Sequence, residues 1–304
     1  KNVEAVINQA RKLAGLKPLT ALQSAYKGEE SIPGIIGDKI RNFTANRAEP
    51  LAKKVSRLGL TLDEVDEFLT LRHAIERNNR IALRNEARDV ENNPGSGKFK
   101  TGEVLSNSFV KNIMDRQYGL KWNDATESWS GGNQKAKRLL EVAKDADRIV
   151  NETIDEQIAG GLLSKDNAEV LRNNYKYYAP LKGKALEDDF ADQMYQTPGL
   201  STKGSDFQRA MGRESASESP LGHILLNAER AIARSAKNQQ FGQRLVNLIK
   251  ENPNEDFWNV YSEDNPRYAQ AFDKYFTYVG NDPAMKGLRV KEIPEGANSR
   301  DFIK

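Results

Sequence analysis

The residues best suited to chemistry lie on one predicted helix, where an apolar face continues as a polar one. Val65, Phe68 and Leu69 share that face at the helical period, and the turns that follow carry guanidinium, imidazole, carboxylate and amide groups. We call this set the polar strip: Arg72, His73, Glu76, Arg77, Asn78 and Arg80. Because the strip extends a face that begins by burying apolar side chains, we expect it to face another helix or a narrow cleft.

Glu76 lies midway between two arginines of the strip. Arg72 and Arg80 stand four residues before and after it, a spacing that brings side chains together on a helix surface. We therefore predict that Glu76 pairs with both guanidinium groups across a helix–helix contact. A carboxylate flanked in this way is already strongly paired, which favours a structural role with no catalytic residue, bound metal or other cofactor.

A metal-dependent enzyme is the alternative for the same residues. His73 stands three residues before Glu76, and the second of the two histidines, His223, belongs to another predicted long helix. Two histidines and one carboxylate form a ligand set suited to iron or zinc. The sequence has no His-Glu-x-x-His element that would build a zinc site on a single helix.

A second group of chemistry-bearing residues is a run of tyrosines flanked by lysines. Aromatic rings beside cations can stack on the bases of single-stranded nucleic acid, so nucleic-acid binding is one interpretation. Tyrosines at a helix exit ahead of a proline more often pack inside the protein, with each hydroxyl finding a partner, and this is the interpretation we favour. We call the group the tyrosine cluster: Tyr175, Lys176, Tyr177, Tyr178 and Lys182.

Other reaction classes lack the residues they require. The chain has no cysteine, which excludes thiolate zinc sites, iron–sulfur clusters and cysteine nucleophiles. It has no Gly-x-Ser-x-Gly element for serine hydrolysis. The glycine-rich loop before Lys98 is not a phosphate-binding P-loop, because Asn92 replaces its first glycine and Phe99 replaces the serine or threonine that holds magnesium.

The balance of charged residues indicates which classes of partner the chain is suited to bind. Lysine and arginine number 46 against 43 aspartates and glutamates, a formal net charge of +3, and the two signs are mixed along the chain. A dedicated duplex-DNA binder usually has a clustered basic face, so this pattern argues against one. The sequence contains no run of about 18 apolar residues, so it predicts no membrane span.

Helical periodicity dominates the sequence and predicts a mainly α fold, an elongated multi-helix bundle with two long helices. Thr61 to Glu64 has the spacing of a capping box and opens a helix over about residues 62–87, which carries the polar strip. The two long helices are predicted at about 134–159 and 220–250. Shorter helices are expected at about 3–13, 35–43, 51–58, 101–118 and 165–171.

The chain divides by composition. Residues 1–252 are expected to form the helical bundle domain, with a break at 128–132 and an irregular excursion over about 182–217. Residues 253–304 are aromatic-rich and are expected to form a small C-terminal appendage or the start of a following module. The absence of an initial methionine and of a turn signal at the end suggests a piece of a longer polypeptide.

Four short motifs follow one another along the chain. They are His73-Ala74-Ile75-Glu76-Arg77-Asn78, Gly95-Ser96-Gly97, Tyr177-Tyr178-Ala179-Pro180-Leu181, and a helix from Pro220-Leu221 through Ala228-Glu229-Arg230-Ala231 to Asn238 with Gly242-Gln243. In this order, over roughly residues 62–250, they resemble the helical module of very large bacteriophage polyvalent proteins. Those are multidomain proteins packaged in the virion and injected with the DNA, of the kind linked to defence against host restriction.

The resemblance implies a setting without supplying a catalytic residue. It implies a structural or interaction module of an injected virion protein, acting in ejection or in early protection inside the host. The implied location is the virion interior and then the host cell. The implied partners are other domains of a longer parent chain and other virion or ejection proteins, with phage DNA as a weak partner.

Overall fold

A computed structural model describes residues 2–13, 15–21, 23–182, 212–251, 260–261 and 302–303. Within these ranges the chain is mostly helical, which confirms the predicted mainly α fold class. None of the described helices is both long enough and apolar enough to cross a membrane. Most of the predicted appendage and of the irregular excursion lies outside the described residues.

The described helices are numbered in chain order. They are α1 (Asn2–Leu13), α2 (Ala25–Phe43), α3 (Glu49–Arg57), α4 (Leu62–Ala82), α5 (Asn107–Tyr118), α6 (Gln134–Ala159), α7 (Lys165–Asn174), α8 (Pro220–Lys237) and α9 (Arg244–Glu251). π-Helical turns join α2 to α3 (Thr44–Ala48) and α8 to α9 (Asn238–Gln243). Antiparallel pairs form between β1 (Leu120–Asn123) and β2 (Ser128–Gly131), and between β3 (Val260–Tyr261) and β4 (Phe302–Ile303).

The start of α4 is the predicted capping box. The Thr61 hydroxyl accepts the Glu64 N–H at 3.2 Å, and the Glu64 carboxylate accepts the Thr61 N–H at 2.9 Å. The helix ends at Ala82 rather than near residue 87, because its buried face stops at Ile81 and Leu83 is 78% exposed. Helices in proteins depend on tertiary packing, so the helix ends where that packing ends.

The middle of α4 is enclosed on every side. Each residue from Phe68 to Glu76 is buried, and α4 packs against α5, α6 and α8. Phe68, Leu71 and Ile75 lie in the main hydrophobic core. A helix without a solvent-facing side can satisfy its polar side chains only inside the protein, and a buried polar group that stays unpaired costs free energy.

The two predicted long helices form and pack against each other. α6 has the predicted bounds, and the Asn133 side chain caps it by accepting the Ala136 N–H at 2.9 Å. The second long helix is present as α8, a π-helical turn and α9, which together end at Glu251. α8 packs along α6, and the Ser235 hydroxyl donates to the Glu156 carbonyl at 2.9 Å.

Two local predictions are wrong. Residues 128–132 were expected to be only a break, but β1 and β2 form a hairpin there in which Trp122 and Trp129 face each other across the strands with ring centroids 5.1 Å apart. The helix expected from about residue 101 begins at Asn107, because Ser106 is its N-cap and accepts the Phe109 N–H at 3.2 Å. Both segments are too short for hydrophobic periodicity to distinguish a helix or a strand from a loop.

Gly160, directly after α6, provides a test of the packing against α8. A Cβ added there would lie 2.7 Å from Ser235 Cα, so we expect Gly160→Ala to lower the free energy of unfolding by about 1–3 kcal/mol through overpacking. Gly34, inside α2, is the control, since an added Cβ would meet nothing within 4 Å. We expect Gly34→Ala to be about 0.5–1 kcal/mol more stable than the parent in urea unfolding. A neutral Gly160→Ala variant would contradict the close approach.

Candidate functional site

Four members of the polar strip, Arg72, His73, Glu76 and Asn78, are buried, whereas Arg77 and Arg80 are half-buried, and the pairing differs from the prediction. Arg72 is 3% exposed, Glu76 is 6% exposed and His73 is fully buried. The predicted ion pairs from Glu76 to Arg72 and Arg80 are wrong, because in the described part of the chain both guanidinium groups pair with other residues. The i±4 rule describes exposed helix surfaces, whereas α4 meets other elements on every side.

Glu76 accepts hydrogen bonds from the backbone at the exit of α7. Its carboxylate oxygens accept the N–H of Lys176 at 3.1 Å and the N–H of Tyr177 at 3.0 Å. The chain runs without regular structure after α7, so these two donors have no helical or sheet partner. A buried carboxylate from α4 therefore anchors a segment that lies a hundred residues further along the chain.

Arg72 joins α4 to α6 and to the β1–β2 hairpin. Its guanidinium forms a two-pronged salt bridge with Asp147 of α6, in which Nη1 donates to Oδ2 at 3.0 Å. Its carbonyl oxygen accepts the indole N–H of Trp129 at 3.1 Å. Arg80 also contacts segments outside α4: its Nε donates to the Asn174 carbonyl at 3.3 Å, and its Nη2 lies 3.5 Å from Glu127.

Asn78 fixes the glycine-rich loop. Its side-chain oxygen accepts the Ser96 N–H at 2.9 Å, and its side-chain nitrogen donates to the Leu105 carbonyl at 2.7 Å. The Ser96 hydroxyl donates to the Ala74 carbonyl at 3.1 Å. Gly95 lies so close to α4 that a Cβ there would be 2.8 Å from Ile81 Cβ. The loop is therefore packed onto α4 and held there by hydrogen bonds.

Asp66, earlier on α4, binds the start of α8, a contact that the sequence analysis did not predict. Its carboxylate accepts the Leu221 N–H at 2.9 Å. Burial raises the pKa of this carboxyl, and hydrogen bonds from Ser219 and Leu221 oppose the rise. The carboxylate lies at the N-terminus of α8, where unpaired backbone N–H groups favour negative charge.

His73 is buried between two rings of the tyrosine cluster. Its ring contacts Tyr175 and Tyr178 edge-on, with centroids 5.4 and 5.6 Å away. Neither imidazole nitrogen has a hydrogen-bond partner among the described residues, since Nδ1 lies 3.8 Å from the Glu76 carboxylate, beyond hydrogen-bonding range. Burial lowers the pKa of His73, so the imidazole is neutral at neutral pH.

The described residues do not provide the ligand set that the metal-site alternative requires. No group of three or more His, Cys, Asp and Glu side chains that could hold an ion is found among them. His73, Glu76 and His223 are therefore not gathered as three ligands. His223 lies in the first turn of α8, where burial, and then the charge of Lys182, lower its pKa.

The tyrosine cluster packs internally. The ring of Tyr177 lies 5.2 Å from the Arg72 guanidinium, and its hydroxyl accepts the Trp129 backbone N–H at 3.3 Å. Tyr175 and Tyr178 enclose His73 and also line a cavity of about 250 Å³ between α6 and α7. Lys176 is exposed beside them, while Lys182 donates to the Asn227 side chain at 3.1 Å. Since the rings already have internal contacts, single-stranded nucleic-acid binding stays an untested prediction.

Comparisons with known proteins do not add an identification. The chain matches no family model, no curated protein and no solved structure. The resemblance to phage polyvalent proteins therefore stays a prediction from the sequence motifs.

Glu76 is the member of the strip whose removal should cost most. Glu76→Ala removes a buried carboxylate and leaves two backbone donors without their acceptor, so we expect the free energy of unfolding to fall by about 3 kcal/mol. Glu76→Gln keeps the shape and one acceptor oxygen, so a smaller loss is expected. Denaturant unfolding measures both, with Glu86→Ala at an exposed position after α4 as the control. A Glu76→Ala variant as stable as the parent would refute the anchor.

His73 should make stability depend on pH. Its folded-state pKa is lowered from 6.5, so below that pH the unfolded chain binds a proton that the folded protein excludes, and stability falls as the pH falls. The loss approaches about 1.4 kcal/mol per pH unit. His73→Phe removes this contribution, so the difference in unfolding free energy between parent and variant should change between pH 7.5 and about 5. A difference that is constant with pH would show that His73 is not a buried neutral imidazole.

Proposed function

We propose that the chain is a structural, protein-binding module of a phage virion protein that is injected with the DNA. Its setting is the virion interior and then the host cell. Its partners are other domains of a longer parent chain and other virion or ejection proteins. The proposed role is to hold or connect active domains during ejection or early protection of the phage genome, without chemistry of its own.

This proposal rests on one observation: residues of the polar strip bind other parts of the same chain. Glu76 binds backbone donors, Arg72 binds Asp147, and Asn78 holds the glycine-rich loop. In an active site we would expect such groups to face a cleft that a substrate can enter. Here they are enclosed and occupied by the protein itself, which supports a scaffold better than an enzyme.

The four motifs that resemble the polyvalent proteins meet around α4, which supports treating them as one module. Asn78 of the first motif binds Ser96 of the second, and Glu76 binds the start of the third through Tyr177. The fourth begins with α8, whose Leu221 N–H is bound by Asp66. The likeness therefore rests on residues that contact one core helix.

The proposal is tested by the location of the protein during infection. Quantitative mass spectrometry of purified particles of the source phage should detect peptides from this chain, with a major capsid protein as the reference. After infection in the presence of a protein-synthesis inhibitor, the same peptides should be recovered inside the cells. Peptides that are absent from particles and appear only after new synthesis would overturn the proposal.

A further inference from the structure

The cavity between α6 and α7 presents five apolar or aromatic side chains in a space the size of one large side chain. Val150 and Ile154, four residues apart on α6, line it together with Leu171 of α7 and the rings of Tyr175 and Tyr178. Its volume of about 250 Å³ exceeds the roughly 150 Å³ that accommodates a benzene ring and is below the roughly 300 Å³ at which pockets for drug-sized ligands begin. The cavity is therefore large enough for one aromatic side chain of a partner.

The two tyrosine rings that line the cavity are held in place by α4. The ring centroids of Tyr175 and Tyr178 lie 5.9 Å apart, and both rings also contact the buried His73. The backbone between the two tyrosines donates two hydrogen bonds to the Glu76 carboxylate. A binding surface whose side chains are already ordered loses less conformational entropy when a partner binds. The cavity is therefore suited to binding without rearrangement.

Of the charged side chains that line the cavity, Lys176 is the one without an opposite charge beside it. The Asp147 carboxylate forms its two-pronged salt bridge with Arg72, and the Arg172 guanidinium lies 2.6 Å from the Asp155 carboxylate. Lys176 is exposed and forms no salt bridge with any described residue. The lining therefore carries one uncompensated positive charge, which a carboxylate next to the bound side chain would balance.

We infer that this cavity is the anchor pocket of a protein-binding site and that its partner is an acidic segment that inserts one aromatic side chain. Aromatic residues that fill a pocket are the usual anchors of protein interfaces. The tyrosine rings favour an aromatic occupant, because ring pairs gain energy beyond the area that they bury. Lys176 favours acidic residues next to that anchor. The inference rests on the proposed function, since it names the place where the module binds another protein.

A partner protein fits this cavity better than single-stranded nucleic acid does. Nucleic acid carries a phosphate on every nucleotide, and proteins that bind it place several cations along the path of the strand. Here Asp147 contributes a carboxylate to the lining, Arg172 is paired with Asp155, and Lys176 alone among the described lining cations is unpaired. One unpaired cation matches a peptide with one or two acidic residues.

Methyl NMR spectroscopy of the full chain tests the inference, because Val150, Ile154 and Leu171 place methyl groups in the lining of the cavity. The probe is a blocked tripeptide with phenylalanine between two aspartates. We expect its titration to shift the signals of these three residues in a saturable manner, with a Kd below about 5 mM. The signals of Leu83, exposed directly after α4, should not shift. A probe that shifts none of the three signals would overturn the inference.

Further probes establish the chemistry of the partner. Replacing the phenylalanine by alanine should weaken binding at least about tenfold, since the ring supplies the buried apolar area. Replacing both aspartates by asparagine should weaken binding about threefold, since one exposed charge pair contributes modestly. Binding of either substituted peptide as tight as that of the probe, or tighter binding of an oligothymidylate to the same methyl groups, would overturn the inference.

Variants show whether the peptide binds in the cavity. Val150→Phe fills the cavity and should weaken binding at least about tenfold, whereas Val170→Phe, the same change at an exposed position of α7, should not. Lys176→Gln should weaken binding of the probe about threefold and leave binding of the asparagine peptide unchanged, with Lys137→Gln at an exposed position of α6 as its control. Unchanged binding by Val150→Phe and by Lys176→Gln would place the peptide elsewhere and overturn the assignment.

The folding of each variant and the proposed function are tested separately from the pocket. The melting temperature of each variant shows whether it is folded, and since Lys176 is exposed, Lys176→Gln tests the site even if Val150→Phe does not fold. Detection of the chain in phage particles, combined with failure of the peptide to bind, would refute the pocket alone. Peptide binding combined with absence of the chain from particles would refute the virion setting alone.

Discussion

The structure depends on the enclosure of α4. From Phe68 to Glu76 this helix has no solvent-facing side, so a polar group there can find a partner only within the protein, and the His73 imidazole has none among the described residues. The partners of the polar residues along α4, from Asp66 to Asn78, come from distant parts of the chain: Asp147 in α6, the backbone after α7, the glycine-rich loop and the start of α8. The apolar residues of α4 form the core, and its polar residues determine which segments surround that core.

This division of roles explains why charged residues are retained at buried positions. The salt bridge between the buried Arg72 and the half-buried Asp147 contributes little net stability, because desolvation of the guanidinium offsets much of the attraction. Directional hydrogen bonds nevertheless discriminate among alternative packings. The two backbone donors bound by Glu76 fix how the chain leaves α7, and that exit places Tyr175 and Tyr178 around His73. The proposed scaffold role relies on this fixed arrangement.

The sequence predicted the elements better than their contacts. The apolar stripe of α6 gave its bounds, and the capping box gave the start of α4, because both signals are local. The burial of the strip was also predictable from the face that it continues. The partners of Glu76 were not, because backbone donors a hundred residues away leave no mark near it in the sequence. The backbone hydrogen bond from Arg213 to Gly95 was not predicted for a related reason, since Arg213 lies in an irregular stretch whose spatial neighbours the sequence does not indicate.

The most direct test of the central claim is native-state hydrogen exchange of four backbone amides whose acceptors are side chains of α4. They are the amides of Ser96, Lys176, Tyr177 and Leu221. If α4 anchors these segments, the four amides should be protected to a similar degree as the amides in the middle of α4, and they should open together with it. Exchange as fast as that of Ala125, an exposed turn amide bonded only to the Asn123 side chain, would contradict this account.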